Sequence, residues 1–205
     1  MSILPQLEEN RGTISSALGK SLARKVLEGD TDILPEAAAL LGHDSKDVRA
    51  GAAKILEQTA VVDPSLVLQF LPRLLTALDT PERQTRWMAI HTLGLCATLD
   101  ALPKAQAFLA ADSGACLWGA AIRYLGDIGA VSKSNANAVF PILEEALQRI
   151  PRQTKNVLDS FLRILARTDG EARNRIACYG EMYAQDDKSS IRAVSRKINR
   201  RTVRS

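Results

Sequence analysis

Asp44-Ser45-Lys46-Asp47-Val48-Arg49-Ala50-Gly51-Ala52-Ala53-Lys54-Ile55-Leu56 is the stretch on which the fold turns. A polar opening gives way to Val48, Ala52 and Leu56, four residues apart and so on one side of a helix. The pattern returns. With Val48 as the anchor, matching helices start at Thr85, Leu117, Thr154 and Ile191, at spacings of 37, 32, 37 and 37 residues. Positions zero, four and eight after the next three anchors read Thr85, Ala89, Leu93, then Leu117, Ala121, Leu125, then Thr154, Leu158, Leu162. In the last copy Ile191, Ser195 and Asn199 turn polar, as a capping unit does.

A proline-bearing helix precedes four of these copies, at Ile33-Leu34-Pro35, Phe70-Leu71-Pro72, Ala101-Leu102-Pro103 and Val139-Phe140-Pro141. Asp63-Pro64 and Thr80-Pro81 read as an N-cap followed by proline at the first helical position. Asp44, Asp112 or Ser113, Ser134 and Asp169 are the expected starts of other helices. Nothing alternates apolar with polar in the manner of a strand, so a sheet or βαβ fold is not expected. The coarse map is one N-terminal helix near Thr13–Leu27 and five helical pairs from about residue 31 to 203.

Two-helix units of this period occur in tetratricopeptide, ankyrin and HEAT arrays. The stretch from Asp44 to Leu56, and Thr85-Arg86-Trp87-Met88-Ala89-Ile90-His91-Thr92-Leu93-Gly94, resemble the second helix of a HEAT repeat. The first-helix prolines, the turn Asp79-Thr80-Pro81 and the pair Ile191-Arg192 look like the same family, while Leu117-Trp118 and Thr154-Lys155 depart from it. The resemblance implies an all-α fold: a right-handed α-solenoid, of armadillo type, with about five HEAT-like helical pairs plus an N-terminal capping helix. It implies a single domain over 1–205, with the N-terminal helix in 1–30 and repeats at 31–62, 63–99, 100–130, 131–167 and 168–205. It also implies that the second helices line a concave side. The residue after each anchor (Arg49, Arg86, Trp118, Lys155, Arg192) would then bridge to an acidic turn residue, with Asp44, Asp47, Asp79 and Glu82 available.

Composition narrows the function classes. The chain has 205 residues, 46% hydrophobic and 24% charged, as a globular protein does. No apolar run is long enough for a membrane span, and Met1-Ser2-Ile3-Leu4-Pro5 opens no signal peptide, so a cytoplasmic protein is expected. Cys96, Cys116 and Cys178 form no CxxC pair and read as small core residues in a reducing compartment. With only His43 and His91 beside them, neither a metal site nor a cofactor is expected. The nucleophile elbow, the phosphate loop and HExxH are all missing, which points away from an enzyme. Gly126-Asp127-Ile128-Gly129 reads as a helix end, and Glu144-Glu145 as a solvated face of a first helix.

Charge is the remaining signal. The net +4 is uneven: Lys188, Arg192, Arg196, Lys197, Arg200, Arg201 and Arg204 meet no acid after residue 187, while the rest holds 20 basic and 23 acidic residues. Such a tail is either a footprint for nucleic acid, an acidic protein or an anionic membrane, or a solvated terminal helix. On the second helices, position six gives Lys54, His91, Arg123, Ser160 and Lys197. Position nine gives Glu57, Gly94, Gly126, Arg163 and Arg200, and position two Ala50, Trp87, Gly119, Asn156 and Ala193. These positions are expected to form a basic groove in which the small residues leave room for a ligand. Its partner-binding residues would be Lys54, Trp87, His91, Arg123, Arg163, Lys197 and Arg200. Trp87 and His91, one turn apart, either stack on a base or partner side chain, or form repeat packing with His91 at the surface.

The expected function is a non-enzymatic binding scaffold. Its basic concave surface would hold an acidic protein or peptide, or nucleic acid through the groove and the C-terminal tail. The alternative is an enzyme similar to the HEAT-like alkylpurine DNA glycosylases, whose resemblance implies a catalytic aspartate on a concave helix. Their tryptophan with an aspartate one turn later is not reproduced, since Trp87 is followed by His91, and Arg123 with Asp127 stands in for it.

Overall fold

A computed structural model describes residues 2–10 and 17–203. Among them lie twelve α-helices and no strand, so the all-α expectation is met. The chain divides into two compact units, Met1–Lys104 and Ala105–Ser205. In the first unit are α1 (Leu4–Glu9), α2 (Ala17–Leu27), α3 (Ile33–Leu40), α4 (Lys46–Val62), α5 (Leu71–Ala77) and α6 (Arg83–Leu95). α7 (Leu102–Ala110) begins at its end, and α8 (Ala115–Gly129), α9 (Lys133–Arg149), α10 (Thr154–Ile164), α11 (Gly170–Met182) and α12 (Ser189–Thr202) follow in the second. The expected helix from Thr13 is seen from Ala17 onward, and residues 13–16 lie outside the described ones.

In the first unit α4 is central, packed on α1, α2, α3 and α6. Its alanines explain how one helix takes so many neighbours: Ala52 and Ala53 are fully buried beside Val48, Ile55 and Leu56. Small side chains let backbones approach without voids. α1, which the periodicity did not predict, adds Ile3 and Leu7 to this core, with Leu7 seated against Gly51. Glu36 of α3 holds its start: Ser2 Oγ and the amides of Ile3 and Leu4 donate to its carboxylate. Burial works to raise the Glu36 pKa, but those hydrogen bonds outweigh it and leave the group below its ordinary value.

In the second unit α10 is central, touching α8, α9, α11 and α12. Phe161 lies between Phe140 of α9 (centroids 5.6 Å apart) and Tyr179 of α11 (5.5 Å, stacked). The anchors read from the sequence are all buried, Val48, Thr85 and Leu117 fully, and so are Ala52, Ala89, Ala121, Leu158 and Ser195 four residues later. Within each unit the second helices of successive pairs lie side by side, α4 with α6, and α8 with α10 and α10 with α12.

Helix ends are placed by caps and prolines. Asp63, forced out of the helical region by Pro64, ends α4 and accepts from Ser65 N at 3.0 Å, as expected for an N-cap. Thr80-Pro81 instead stays in the turn, and α6 starts at Arg83. Pro141 lies inside α9 and not at its start, because Ser132 caps that helix nine residues earlier, accepting from Asn135 N.

The residue after each anchor ties down the turn before its helix. Arg49 donates to the carbonyls of His43 and Asp44, Arg86 to that of Pro81 at 3.3 Å, and Arg192 to those of Asp186 and Asp187 at 2.6 and 2.9 Å. Trp118 does the same with its indole N–H, which donates to Ala111 O at 2.9 Å. The guanidinium fork thus satisfies carbonyls of the turns between helices, which no helix ladder pairs. The expected acidic bridge is made by Arg49, which pairs with Glu82. Lys155 departs from the device and pairs with Asp159 along its own helix.

Candidate functional site

Of the residues expected to line one groove, Lys54, Trp87 and His91 belong to the first unit and Arg123, Arg163, Lys197 and Arg200 to the second. In the first, α4 carries Lys54, Glu57 and Gln58, and α6 carries Trp87 and His91. Glu57 is 4% exposed and gathers three donors: Lys54 Nζ at 2.6 Å, Gln58 Nε2 at 3.0 Å and His91 Nδ1 at 2.9 Å. Burial alone would raise its pKa. The His91 hydrogen bond, then the hydrogen bond and charge of Lys54, and Gln58, overturn that and hold the carboxyl at about 2. The cluster is a charged clasp between two packed helices.

Two expectations are corrected by it. His91 is not on an open face but 8% exposed, because packing α4 on α6 turns position six of one helix against position nine of the other. Lys54 is half-buried and neutralised by Glu57, so it offers no free charge to a partner. Trp87 is half-buried one turn before His91.

The second cluster lies on α8, α10 and α12. Asp127 takes Arg163 Nη1 at 2.5 Å across the helix pair and Arg123 Nε at 3.7 Å along its own helix. Asp127 is largely covered, while the two arginine side chains are 49% and 43% exposed. One carboxylate therefore faces two guanidinium groups, leaving surplus positive charge at the surface. Lys197 and Arg200 of α12 are exposed and have no ion-pair partner among the described residues. The structure thus places Arg123, Arg163, Lys197 and Arg200 at the surface of α8, α10 and α12 in the second unit, and Lys54, Trp87 and His91 on α4 and α6 in the first.

Two of the small residues read as room for a ligand, Gly126 and Gly119, instead meet packed neighbours. A Cβ at Gly126 would stand 2.7 Å from Ser160 Oγ and 3.1 Å from its Cα, and one at Gly119 3.2 Å from Asn156 Nδ2. Ser160 is itself buried and donates to Ile122 O at 2.9 Å. These positions are where α10 lies on α8. The basic tail is likewise a packed element: Ile191, Val194, Ser195 and Ile198 of α12 are buried, and Arg204 lies outside the described residues.

A third cluster was missed in the sequence. Glu144, read as solvated, is 9% exposed, accepts from Tyr179 Oη at 2.8 Å and pairs with Arg175 at 2.7 Å. Burial and the Glu144 carboxylate push the Tyr179 phenol up, with Arg175 opposing. Glu145 is solvent-facing and pairs with Arg149. The residues that cover Glu144 lie 31 and 35 positions away on α11, and no local pattern announces them.

No protein-family model matches the chain, and no curated protein matches it. Among solved structures, the crystal structure of an engineered protein from a structural-genomics consortium superposes with a TM-score of 0.65 at 13% identity. The match covers 100% of this chain and 98% of that one. At that identity the likeness is one of fold.

Proposed function

We propose that the chain is a non-enzymatic binding scaffold in which each unit is a run of HEAT-like α-solenoid pairs. Its second unit would present a basic surface to an acidic protein segment or to nucleic acid. The observation that carries this reading is the display of Arg123, Arg163, Lys197 and Arg200 on α8, α10 and α12, where Arg123 and Arg163 share Asp127 and Lys197 and Arg200 have no ion-pair partner among the described residues. Side-by-side second helices support the repeat reading, and extended surfaces of this kind hold partners without chemistry of their own. Three free cysteines support an intracellular setting, although Cys116 and Cys178 are exposed and not, as expected, in the core. The glycosylase reading would need Asp127 as its carboxylate, and two arginines already engage it.

The test is fluorescence anisotropy of the full chain with a labelled glutamate-rich peptide and with a duplex of about 20 base pairs. Neutralising the four cations to glutamine should weaken binding of the preferred polyanion by about tenfold or more near 0.1 M salt, with the helical circular dichroism retained. Affinities equal to wild type for both ligands would defeat the reading.

A further inference from the structure

The exposed side of α12 is strongly basic. Between residues 188 and 203 there are Lys188, Arg192, Arg196, Lys197, Arg200 and Arg201, and no acidic residue. The apolar side of the helix is used up by the fold, since Ile191, Val194 and Ile198 are buried. Arg192 is engaged by two turn carbonyls. Lys188, Arg196, Lys197 and Arg200 remain exposed, without an ion-pair partner among the described residues. Arg196, Lys197 and Arg200 fall within about 6 Å along the helix axis, and Lys188 about 12 Å before Arg196. The exposed residues between them, Ser189, Ser190 and Ala193, are small.

This face lacks what two of the three candidate partners require. Protein interfaces depend on apolar or aromatic anchors at their centre, with lysine depleted there. An interfacial membrane helix inserts an apolar face, and that of α12 is already buried. A phosphate backbone requires only positive charge and close approach, which small side chains allow. Asn199, the amide side chain of α12 that would suit an adenine edge, donates instead to the Gly180 carbonyl at 3.3 Å.

We propose that the exposed face of α12 is a docking surface for the phosphate backbone of a nucleic acid, held by Lys188, Arg196, Lys197 and Arg200 without base readout. The assignment rests on the scaffold reading above and names its partner. Arg123 and Arg163, already shared with Asp127, contribute less.

The experiment measures affinity of the full chain for two duplexes of about 20 base pairs and unrelated sequence across a salt series, with a glutamate-rich peptide and phosphatidylserine vesicles as parallel ligands. Four phosphate contacts give a log–log salt slope of about −3 to −4, equal for both sequences. The triple variant Arg196→Gln/Lys197→Gln/Arg200→Gln, altered only at exposed positions, should make that slope shallower by about two to three. Arg123→Gln/Arg163→Gln should change it by less than about one. A slope untouched by the α12 variant, or strong preference for one sequence, overturns the assignment. Binding of the peptide or the vesicles without the duplex also overturns it but leaves a polyanion scaffold standing, whereas binding of none of the three defeats both.

Discussion

Taking the carboxylate from Glu57 would leave Lys54 and His91 without the group that joins α4 to α6. Breaking a buried ionic cluster by removing one partner costs roughly 3–5 kcal/mol, so Glu57→Leu should lower the thermal midpoint of the first unit markedly. The pH dependence has a definite sign. The Glu57 pKa is depressed from 4.5 to about 2 in the fold, so its stabilisation is complete above about pH 4.5 and is lost as pH falls towards 2. Acid unfolding of Glu57→Gln, followed by circular dichroism, should have a flatter limb across that window. An acid limb identical to wild type would contradict the clasp. Lys54 and His91 were legible as position six of two successive second helices, and Glu57 as position nine of the first. That all three are covered was not, since Glu57 and His91 are 34 residues apart and only helix packing unites them.

At the level of the helix, Gly126 is the informative position. Periodicity states which residues share a side but not what lies opposite, so Gly126 read as open space when it is where α10 lies on α8. Gly126→Ala would press a methyl group on the Ser160 side chain and backbone, and overpacking of this kind costs roughly 1–3 kcal/mol. Adding Ser160→Gly should recover part of the loss in chemical denaturation. Gly119→Ala meets only the flexible ends of Asn156 and Gln153 and should lose less. A stable Gly126→Ala protein would show that the two helices are not this close. The second helices themselves were legible, each anchor landing on a buried position, because their spacing encodes a buried stripe. Their ends were less so. Thr80-Pro81 and Pro141 each satisfy a start signal, yet Glu82 and Ser132 hold the caps because tertiary packing decides between adjacent starts.

Across the molecule, charge divides as the units do. Met1–Lys104 holds eleven lysines and arginines against thirteen acids, and Ala105–Ser205 sixteen against ten. The positive field therefore belongs to the second unit, and within it to exposed cations whose acids are few. Removing the tail is a poor probe of this, since α12 contributes Ile191, Val194 and Ile198 to the core; substitution of its exposed cations isolates charge from packing. Composition made the basic end legible and left its burial pattern hidden, because a cation's exposure depends on which neighbour covers it. The most direct test is a nuclear magnetic resonance titration of the full chain with a duplex of about 20 base pairs, read residue by residue. Perturbed amides should concentrate on α12, with weaker effects at Arg123 and Arg163. Perturbations gathered around Lys54, Trp87 and His91, or none at saturating duplex, would contradict the α12 docking surface.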